Sequence, residues 1–385
     1  MKPRVLIVGG GVIGSATAWF LARDGRHDVT VLERDPAYRQ ASSSLSASSI
    51  RQQFSQPVNI RLSQASLAFL RGVGTNLALD AERPDIALVE RGYLYLATAA
   101  GMATLQVNHA VQCDHQVAVA LLTAAQLRER FPWLAVDDLA GGSLGLGGEG
   151  WFDGPALLRA FRRAAIAAGV RYVAAEARRL HAAPTPAVSC ADGSTLSADR
   201  LLLAAGAWSA PLAATLDFAL PVSARKRDVF VFHSPAQLPG CPLVIDPSGL
   251  WFRPEGKGFI CGAPPRGADA DDLPLEPDLG LFDEEIWPAL AARVPGFEAV
   301  RRVSAWSGYY EYNRFDQNGI VGRLPGQEQV YIGCGFSGHG MQQAPAVARA
   351  LAELIGDGAY TTLDLAPLSP QRLVAGTPLV ERNVI

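Results

Sequence analysis

The sequence predicts an α/β (α+β) fold in which two domains are interleaved along the chain. Residues 4–33 have the pattern of a strand, a glycine-rich turn, a helix and a second strand. A strand followed by a glycine turn recurs at 201–208, and a strand, a glycine turn and a helix recur at 330–355. Strand-rich blocks separate these elements. This order predicts a Rossmann-like domain and a mixed-sheet domain.

The amino-terminal elements follow from residue type. Residues 4–8 are apolar and β-branched, as in a buried parallel strand, and residues 28–33 repeat that pattern. A helix is predicted at 15–23 between them. Residues 40–56 form a Ser/Gln-rich loop, for which a flexible linker is the alternative. A helix follows at 58–71.

The middle and the end of the chain alternate in the same way. Thr123 is predicted to cap a helix, and a glycine-rich turn at 141–148 is predicted to cross between domains. Further strands are predicted at 92–96, 170–173, 201–205 and 330–334, and those at 170–173 and 201–205 are predicted to be buried. Further helices are predicted at 123–130, 154–168, 283–292 and 343–355. The block at 221–308 is otherwise strand-rich.

Composition excludes several classes of protein. The 385 residues are 49% hydrophobic and 18% charged, with a net charge of -3, which excludes a disordered chain and disfavours a nucleic-acid binder. Five cysteines without a C-x-x-C pair, and six histidines without metal-ligand spacing, predict a reducing compartment and no metal site. No targeting or transmembrane segment is found, so a cytoplasmic location is predicted.

The first glycine turn has the spacing of a dinucleotide site. Gly9 allows the tight turn, Gly11 lets the backbone approach a pyrophosphate, and Gly14 lets the helix pack on the sheet. The helix N-terminus offers N–H donors, and Glu33 ends the next strand, where it can accept hydrogen bonds from ribose hydroxyls. This motif alone leaves FAD and NAD open.

Other segments favour FAD. Arg34, Ser42 and Ser43 are placed to continue along a diphosphate. The turn at 205–208 follows a second strand, and the turn at 335–340 opens a helix whose N-terminus could stabilise negative charge on a reduced flavin. The alternative for this last turn is an ordinary helix entry.

Long stretches of the chain resemble a known family. They are residues 40–55, 149–153, 225–227, 306–313, 315–319 and 335–345. The chain resembles the D-amino-acid-oxidase-type flavoenzymes, such as glycine oxidase, sarcosine oxidase and their dehydrogenase relatives, over nearly its whole length. Within that family it most resembles a mitochondrial branch associated with assembly of respiratory complex I.

The resemblance implies a fold and a reaction. An FAD-binding domain would comprise residues 1–85, 148–220 and 310–385, and a substrate domain residues 86–147 and 221–309. A C–H next to an amine nitrogen would give a hydride to flavin N5, and the imine would then hydrolyse. Positioning and electrostatics would be the protein's main contributions.

The resemblance also carries over to individual residues. Arg51 matches an arginine that holds the substrate carboxylate; a surface arginine is the alternative. Lys226 matches a basic position near the flavin or is a solvated charge, and Tyr309 and Tyr310 bound the substrate pocket or are core aromatics. His339 would hold the flavin edge. The implied cofactor residues are Gly9, Gly11, Val12, Ile13, Gly14, Glu33, Arg34, Ser42, Ser43, Ala177, Ala205, Gly206, Trp208, Gly338, His339, Gly340 and Met341.

The departures from the family pattern carry implications too. Gly308 stands where sarcosine oxidase has a flavin-tethering cysteine, and serines stand at 42–44 where some relatives have histidine, so noncovalent FAD is expected. Ile260 stands where fast oxidases have a lysine, and Lys257 is predicted to face the other way on the same strand. A dehydrogenase or a slow oxidase is therefore expected. Gln342 replaces a second carboxylate-binding lysine, which disfavours sarcosine as the substrate.

Three functions follow from these observations. The first is a FAD-dependent dehydrogenase or slow oxidase of a small amine, an amino acid or an N-substituted amino acid. The second is a flavin-containing assembly protein with structural FAD and a protein partner. The third is an NAD-linked dehydrogenase. The substrate, its stereochemistry, the electron acceptor and the oligomeric state stay open.

Overall fold

The computed structural model of the chain describes residues 1–267 and 269–382. The strands are β1 (Arg4–Val8), β2 (Asp28–Glu33), β3 (Ser49–Ile50), β4 (Tyr93–Ala97), β5 (Val119–Thr123), β6 (Gly141–Gly145), β7 (Gly150–Trp151), β8 (Arg171–Ala174), β9 (Ala177–His181), β10 (Ala187–Cys190), β11 (Thr195–Ser197), β12 (Arg200–Leu203), β13 (Val222–His233), β14 (Leu243–Ile245), β15 (Trp251–Glu255), β16 (Gly258–Gly262), β17 (Arg301–Asn313), β18 (Ile320–Arg323) and β19 (Val330–Cys334). The α-helices are α1 (Val12–Ala22), α2 (Ser42–Leu45), α3 (Pro57–Arg71), α4 (Val73–Asn76), α5 (Ala99–Asp114), α6 (Ala124–Arg130), α7 (Gly154–Ala167), α8 (Ser209–Ala214), α9 (Leu279–Leu281), α10 (Trp287–Arg293), α11 (Gly340–Asp357) and α12 (Gln371–Ala375).

A six-stranded sheet carries the Rossmann-like part of the fold. Its order is β18-β19-β12-β1-β2-β8, in which only β18 runs antiparallel to its neighbour. Helices α1, α7, α11 and α3 pack together in one apolar layer on this sheet. The carboxyl ends of β1, β12 and β19 therefore meet at one edge, where parallel sheets place their ligands.

An eight-stranded sheet forms the second layer. Its order is β17-β13-β16-β15-β14-β4-β6-β5, mostly antiparallel with β14 and β4 parallel. A cluster of phenylalanines covers one face, against α9, α10 and the π-helical turn Phe282–Ile286. The described residues also form a three-stranded sheet (β11-β10-β9) and a two-stranded sheet (β3-β7). The mixed α/β architecture predicted from the sequence is confirmed.

The predicted glycine turn at 141–148 is wrong for most of its length. Gly141–Gly145 is strand β6, which pairs with both β4 and β5. Close packing explains the glycines, because a Cβ on Gly141 would lie 2.3 Å from the Leu122 carbonyl oxygen and one on Gly142 would lie 2.7 Å from the Tyr95 carbonyl oxygen. A run of glycine marks close approach of backbones as well as turns.

Other differences have similar local causes. The 16-residue helix α5 was not predicted, because it buries only three side chains and lacks a clear apolar stripe. Strand β8 is an edge strand with partly exposed side chains rather than a buried one. Lys257 lies in the turn between β15 and β16, not on a strand facing away. Helix α11 begins at Gly340, three residues before the start predicted for it.

The two large sheets take their strands from different parts of the chain. The six-stranded sheet uses residues 4–33, 171–203 and 320–334, and the eight-stranded sheet uses 93–145, 222–262 and 301–313. Strand β17 runs across the domain boundary predicted between 309 and 310, so the exact domain bounds stay a prediction. No helix among the described residues has both the length and the apolar character needed to cross a bilayer.

Candidate active site

One large cavity lies between the two sheets. It has a volume of about 600 Å³, within the usual range for ligand sites. Its lining includes every predicted cofactor residue except Gly14 and His339. These lining residues are Gly9, Gly11, Val12, Ile13, Glu33, Arg34, Ser42, Ser43, Ala177, Ala205, Gly206, Trp208, Gly338, Gly340 and Met341. The three glycine turns, which are far apart in sequence, thus converge on one space.

The first glycine turn has the geometry that a diphosphate needs. Gly9 has a φ of +104°, and a Cβ there would lie 2.2 Å from the Ala204 carbonyl oxygen. A Cβ on Gly14 would lie 1.9 Å from the Gly9 carbonyl oxygen, so α1 packs directly on the turn. At Gly11 a Cβ would contact only the Ser43 hydroxyl, at 3.2 Å. Gly11 therefore faces the cavity rather than the protein.

The loop after β2 reaches the same helix N-terminus. Ser43 Oγ accepts a hydrogen bond from the Val12 N–H at 3.0 Å. Glu33 is held by two backbone donors, because its Oε2 accepts from Gly10 N–H and its Oε1 from Asp35 N–H, both at 2.8 Å. The carboxylate is fixed at the cavity edge with lone pairs left for ribose hydroxyls.

Arg34 and Trp208 form one side of the cavity together. The guanidinium carbon of Arg34 lies 3.9 Å from the Trp208 ring centroid, which is a close cation–π contact. Trp208 in turn packs edge-on against Tyr309, with ring centroids 5.8 Å apart. The second glycine turn is thereby connected to strand β17 of the other sheet.

The third glycine turn brings an acid that was not predicted as a site residue. Glu311 lines the cavity on β17, and its Oε2 accepts a hydrogen bond from the Gly335 N–H at 3.0 Å. Its Oε1 faces Gly340, the first residue of α11, because a Cβ on that glycine would lie 3.1 Å away. Burial raises the pKa of Glu311 to about 7, although backbone donors of the turn oppose the shift. The only sign of this site residue in the sequence is that an acid interrupts the run of aromatic residues on β17.

Arg51 does not line the cavity. It is 1% exposed, and its Nη1 donates to the Gln53 carbonyl at 2.7 Å. Its Nη2 donates to His339 Nε2 at 2.9 Å, and Phe54 packs under the guanidinium. Binding of a substrate carboxylate by Arg51 stays a prediction.

His339 and Gln342 support Arg51 from helix α11. Burial, with a smaller effect from the charge of Arg51, holds the pKa of His339 well below its ordinary value, so the ring is neutral at pH 7 and accepts the arginine N–H. Gln342 Oε1 accepts the Arg51 backbone N–H at 3.0 Å. Neither residue lines the cavity, and the predicted contacts of His339 with flavin and of Gln342 with substrate stay predictions.

On strand β13 the cavity cation is Arg227 rather than Lys226. The Lys226 ammonium lies 3.5 Å from Asp228 Oδ2 and donates to the Glu276 carbonyl, and it does not line the cavity. Arg227 does line it. Residue type alone could not separate the two, because both are long basic side chains at neighbouring positions of one strand.

Tyr309 and Tyr310 both line the cavity. The Tyr309 hydroxyl donates to the Leu273 carbonyl at 2.8 Å. The Tyr310 ring lies 5.3 Å from the guanidinium carbon of Arg227. Burial raises the pKa of Tyr310, while the charges of Arg227 and Arg51 oppose that shift, so both arginines act on this side chain.

Ile260 is buried on β16 and does not line the cavity. Ile260 pairs with Arg253 on the adjacent strand β15. Arg253 is 3% exposed and donates a hydrogen bond to the Ala47 carbonyl at 2.7 Å. Ala47 lines the cavity, so Arg253 holds a cavity loop in place. Burial lowers the pKa of Arg253, although Glu255 opposes the shift.

The residues present fit FAD and give no support to a metal. A glycine cradle at a helix N-terminus, a fixed carboxylate at the end of β2 and a cavity of about 600 Å³ that the three glycine turns share match the diphosphate, the ribose and the size of a dinucleotide. Among the described residues, no group of three or more His, Cys, Asp or Glu side chains could hold a metal ion.

The fold and the cavity define a dinucleotide-dependent flavoprotein of the oxidoreductase class. Residues 4–354 match the family described as FAD dependent oxidoreductase, and the chain belongs to that family. More particularly, it is 40% identical to FAD-dependent oxidoreductase domain-containing protein 1 of Xenopus laevis over 423 aligned positions, which cover 99% of this chain and 84% of the relative.

Solved structures show the same fold. Glycine oxidase of Geobacillus kaustophilus superposes with a TM-score of 0.83 and 26% identity, over 96% of this chain and 98% of the other. L-Proline dehydrogenase of P. horikoshii superposes with a TM-score of 0.84 and 24% identity, over 97% and 98% of the two chains. The predicted family resemblance is confirmed.

Proposed function

We propose that this chain oxidises the C–N bond of an amino acid or an N-substituted amino acid, using noncovalently bound FAD. The observation that carries the proposal is the single cavity that joins the three glycine turns to Tyr310 and Arg227 on the larger sheet. One part of this space has the features of a dinucleotide site. The other part is bounded by aromatic rings and a cation, as a site for a small amino acid should be.

Bound FAD would supply the acceptor at N5 for a hydride from the carbon next to the amine nitrogen, and the imine product would then hydrolyse. The chain's own residues bind and orient. Tyr309 and Tyr310 bound the substrate space, and the N-terminus of α11 presents backbone donors and a partial positive charge. His339 is neutral and already accepts a hydrogen bond, so we propose that it orients Arg51 rather than transferring a proton.

The electron acceptor is proposed to be something other than oxygen, or oxygen at a low rate. Ile260 offers no cation, and Lys257 is exposed in a hairpin turn. We also propose a reducing compartment, such as the cytoplasm, because all five cysteines are free thiols in the structure and four of them are buried.

Noncovalent binding gives a prediction of its own. None of the described residues that line the cavity is a cysteine or a histidine, and Gly308 lines it where a tether would stand. We expect acid precipitation of the yellow protein to leave all of the flavin in the supernatant, with a chromatographic mobility equal to that of FAD. Flavin retained in the washed pellet would contradict this part of the proposal.

The experiment that tests the function is an anaerobic visible spectrum. Purified holoprotein is mixed with a panel of amino acids and of N-methyl and N-carboxymethyl amino acids, and absorbance near the oxidised flavin band is followed. We expect one class of donor to bleach the band, and recolouring to be slow when air is readmitted. Fast recolouring would contradict the dehydrogenase proposal. A flavin that no donor bleaches would favour a structural cofactor and a protein partner.

A further inference from the structure

Arg227 lines the cavity on the larger sheet, and one carboxylate already binds its planar guanidinium group. Its Nη1 and Nη2 donate to Asp269 Oδ1 and Oδ2, both at 2.8 Å. The guanidinium carbon also lies 5.3 Å from the Tyr310 ring centroid. A two-bond pair of this kind is the preferred way for arginine to bind a carboxylate.

Asp269 comes from an irregular segment rather than from the sheet. The described residues between β16 and α9, 263–267 and 269–278, contain no helix or strand. The Asp269 side chain is 31% exposed, against 21% for Arg227. Asp271, two residues further on, is bound by Arg225 at 2.6 Å and by Arg314 at 3.0 Å, and Arg225 Nη1 also lies 3.5 Å from Asp269 Oδ2. The contact with Arg314 thus anchors the segment independently of Asp269.

We propose that Arg227 binds a second carboxylate of the substrate, and that Asp269 is an internal carboxylate which this group displaces. The substrate class is then an amino acid or N-substituted amino acid with an additional, remote carboxylate. This inference rests on the proposed function and deepens it.

The exchange is balanced in charge and in hydrogen bonds. One carboxylate replaces another on the same two N–H donors, so Arg227 is never left buried without a partner, which would be costly. The Asp269 carboxylate is then released to water, which is possible because its side chain is already partly exposed. A substrate with one carboxylate gives no such replacement and leaves the Arg227–Asp269 pair intact.

The test uses the holoprotein and two ligands that cannot be oxidised at a C–N bond. Glutarate carries two carboxylates and butyrate carries one, and the binding of each is measured by calorimetric titration. The variants are Asp269→Asn, which frees Arg227, and Arg227→Met, which removes it. Asp271→Asn is the matched control, because it makes the same change on the same segment at a carboxylate that is bound by Arg225 and Arg314 instead of Arg227.

We expect Asp269→Asn to lower the Kd for glutarate about tenfold, because the ligand carboxylate then no longer has to displace a charged internal partner from Arg227. Butyrate binding should change by less than about twofold in that variant, because its single carboxylate binds at the other carboxylate site and its methyl end offers nothing for Arg227 to bind. Arg227→Met should remove the preference for glutarate over butyrate, and Asp271→Asn should behave as the wild type.

Glutarate affinity that is the same in Asp269→Asn as in the wild type overturns the inference, as does an equal gain in Asp271→Asn. Because these ligands are not oxidised, the result does not depend on turnover. A preference for glutarate with no donor that bleaches the flavin would mean that the anion site is right and the proposed oxidation is wrong. Bleaching by monocarboxylic amino acids, with no effect of Asp269→Asn on glutarate, would mean the reverse.

Discussion

Gly11→Val is expected to weaken FAD binding strongly while leaving the fold intact. Gly11 has an ordinary φ of -62°, and an added Cβ would contact only the Ser43 hydroxyl, at 3.2 Å. A small shift of that one side chain accommodates the Cβ, because no backbone atom lies against it. The space that the side chain enters is the one through which a diphosphate must approach the N-terminus of α1.

We expect Gly11→Val to reduce FAD affinity at least about 100-fold, or about 2.7 kcal/mol. The measurement is flavin content after purification, followed by titration of the apoprotein with FAD, with thermal unfolding of the apoprotein as the check on the fold. Gly147→Val is the matched control, because a Cβ on Gly147 meets nothing within 4 Å. Wild-type FAD affinity in Gly11→Val would show that the diphosphate does not lie at this turn.

Gly14→Ala should behave differently, and the contrast separates two roles of one motif. Its Cβ would lie 1.9 Å from the Gly9 carbonyl oxygen, so α1 must move away from β1. The apoprotein of this variant should lose stability as well as FAD affinity. The spacing of the motif predicts these two roles, and the surroundings of the two glycines agree with it, since a Cβ on Gly11 meets only Ser43 whereas one on Gly14 meets the backbone of Gly9.

The Rossmann-like part of the molecule was predictable because its signals are local. A buried strand, a glycine turn at a helix N-terminus and an acid after the next strand all lie within residues 4–33, and each restricts the backbone directly. Thr123 caps α6 as predicted, in a capping box with Gln126, for the same reason. Most of the predicted cofactor residues line the cavity, since they belong to such turns.

The substrate side was predicted less well because it depends on strand register. Whether Lys226 or Arg227 faces the cavity is decided by how β13 pairs with β17 and β16, contacts that join residues far apart in sequence. The resemblance placed Arg51 at the substrate, but it could not show that Gln53 and His339 already bind its guanidinium. Strand β6 was missed because its glycines serve close packing between two neighbouring strands.

Glu311 gives the second large effect, on the pH dependence of stability. Its pKa is raised to about 7 in the folded protein, mainly by burial, from an ordinary value of 4.5. Between these two values the folded protein holds a proton that the unfolded chain has lost. The free energy of unfolding therefore falls as the pH rises through this window. The stabilising effect of the neutral acid is complete below the lower value and is lost above the higher one.

Glu311→Gln should remove this pH dependence of the free energy of unfolding, because glutamine keeps an oxygen that accepts from the Gly335 N–H and never ionises. At pH 8 we expect the apoprotein of Glu311→Gln to be more stable than the wild type by about 3 kcal/mol, the equivalent of the shift in pKa. Near pH 4.5 the two proteins should unfold at nearly the same urea concentration.

The matched control is Glu129→Gln, at an exposed position on α6, which should follow the wild type at both pH values. A difference between Glu311→Gln and wild type that stays constant with pH would mean that Glu311 is ionised throughout, held by the turn that opens α11. Because Glu311 lines the cofactor cavity, that outcome would also place a fixed negative charge beside the site proposed for the flavin.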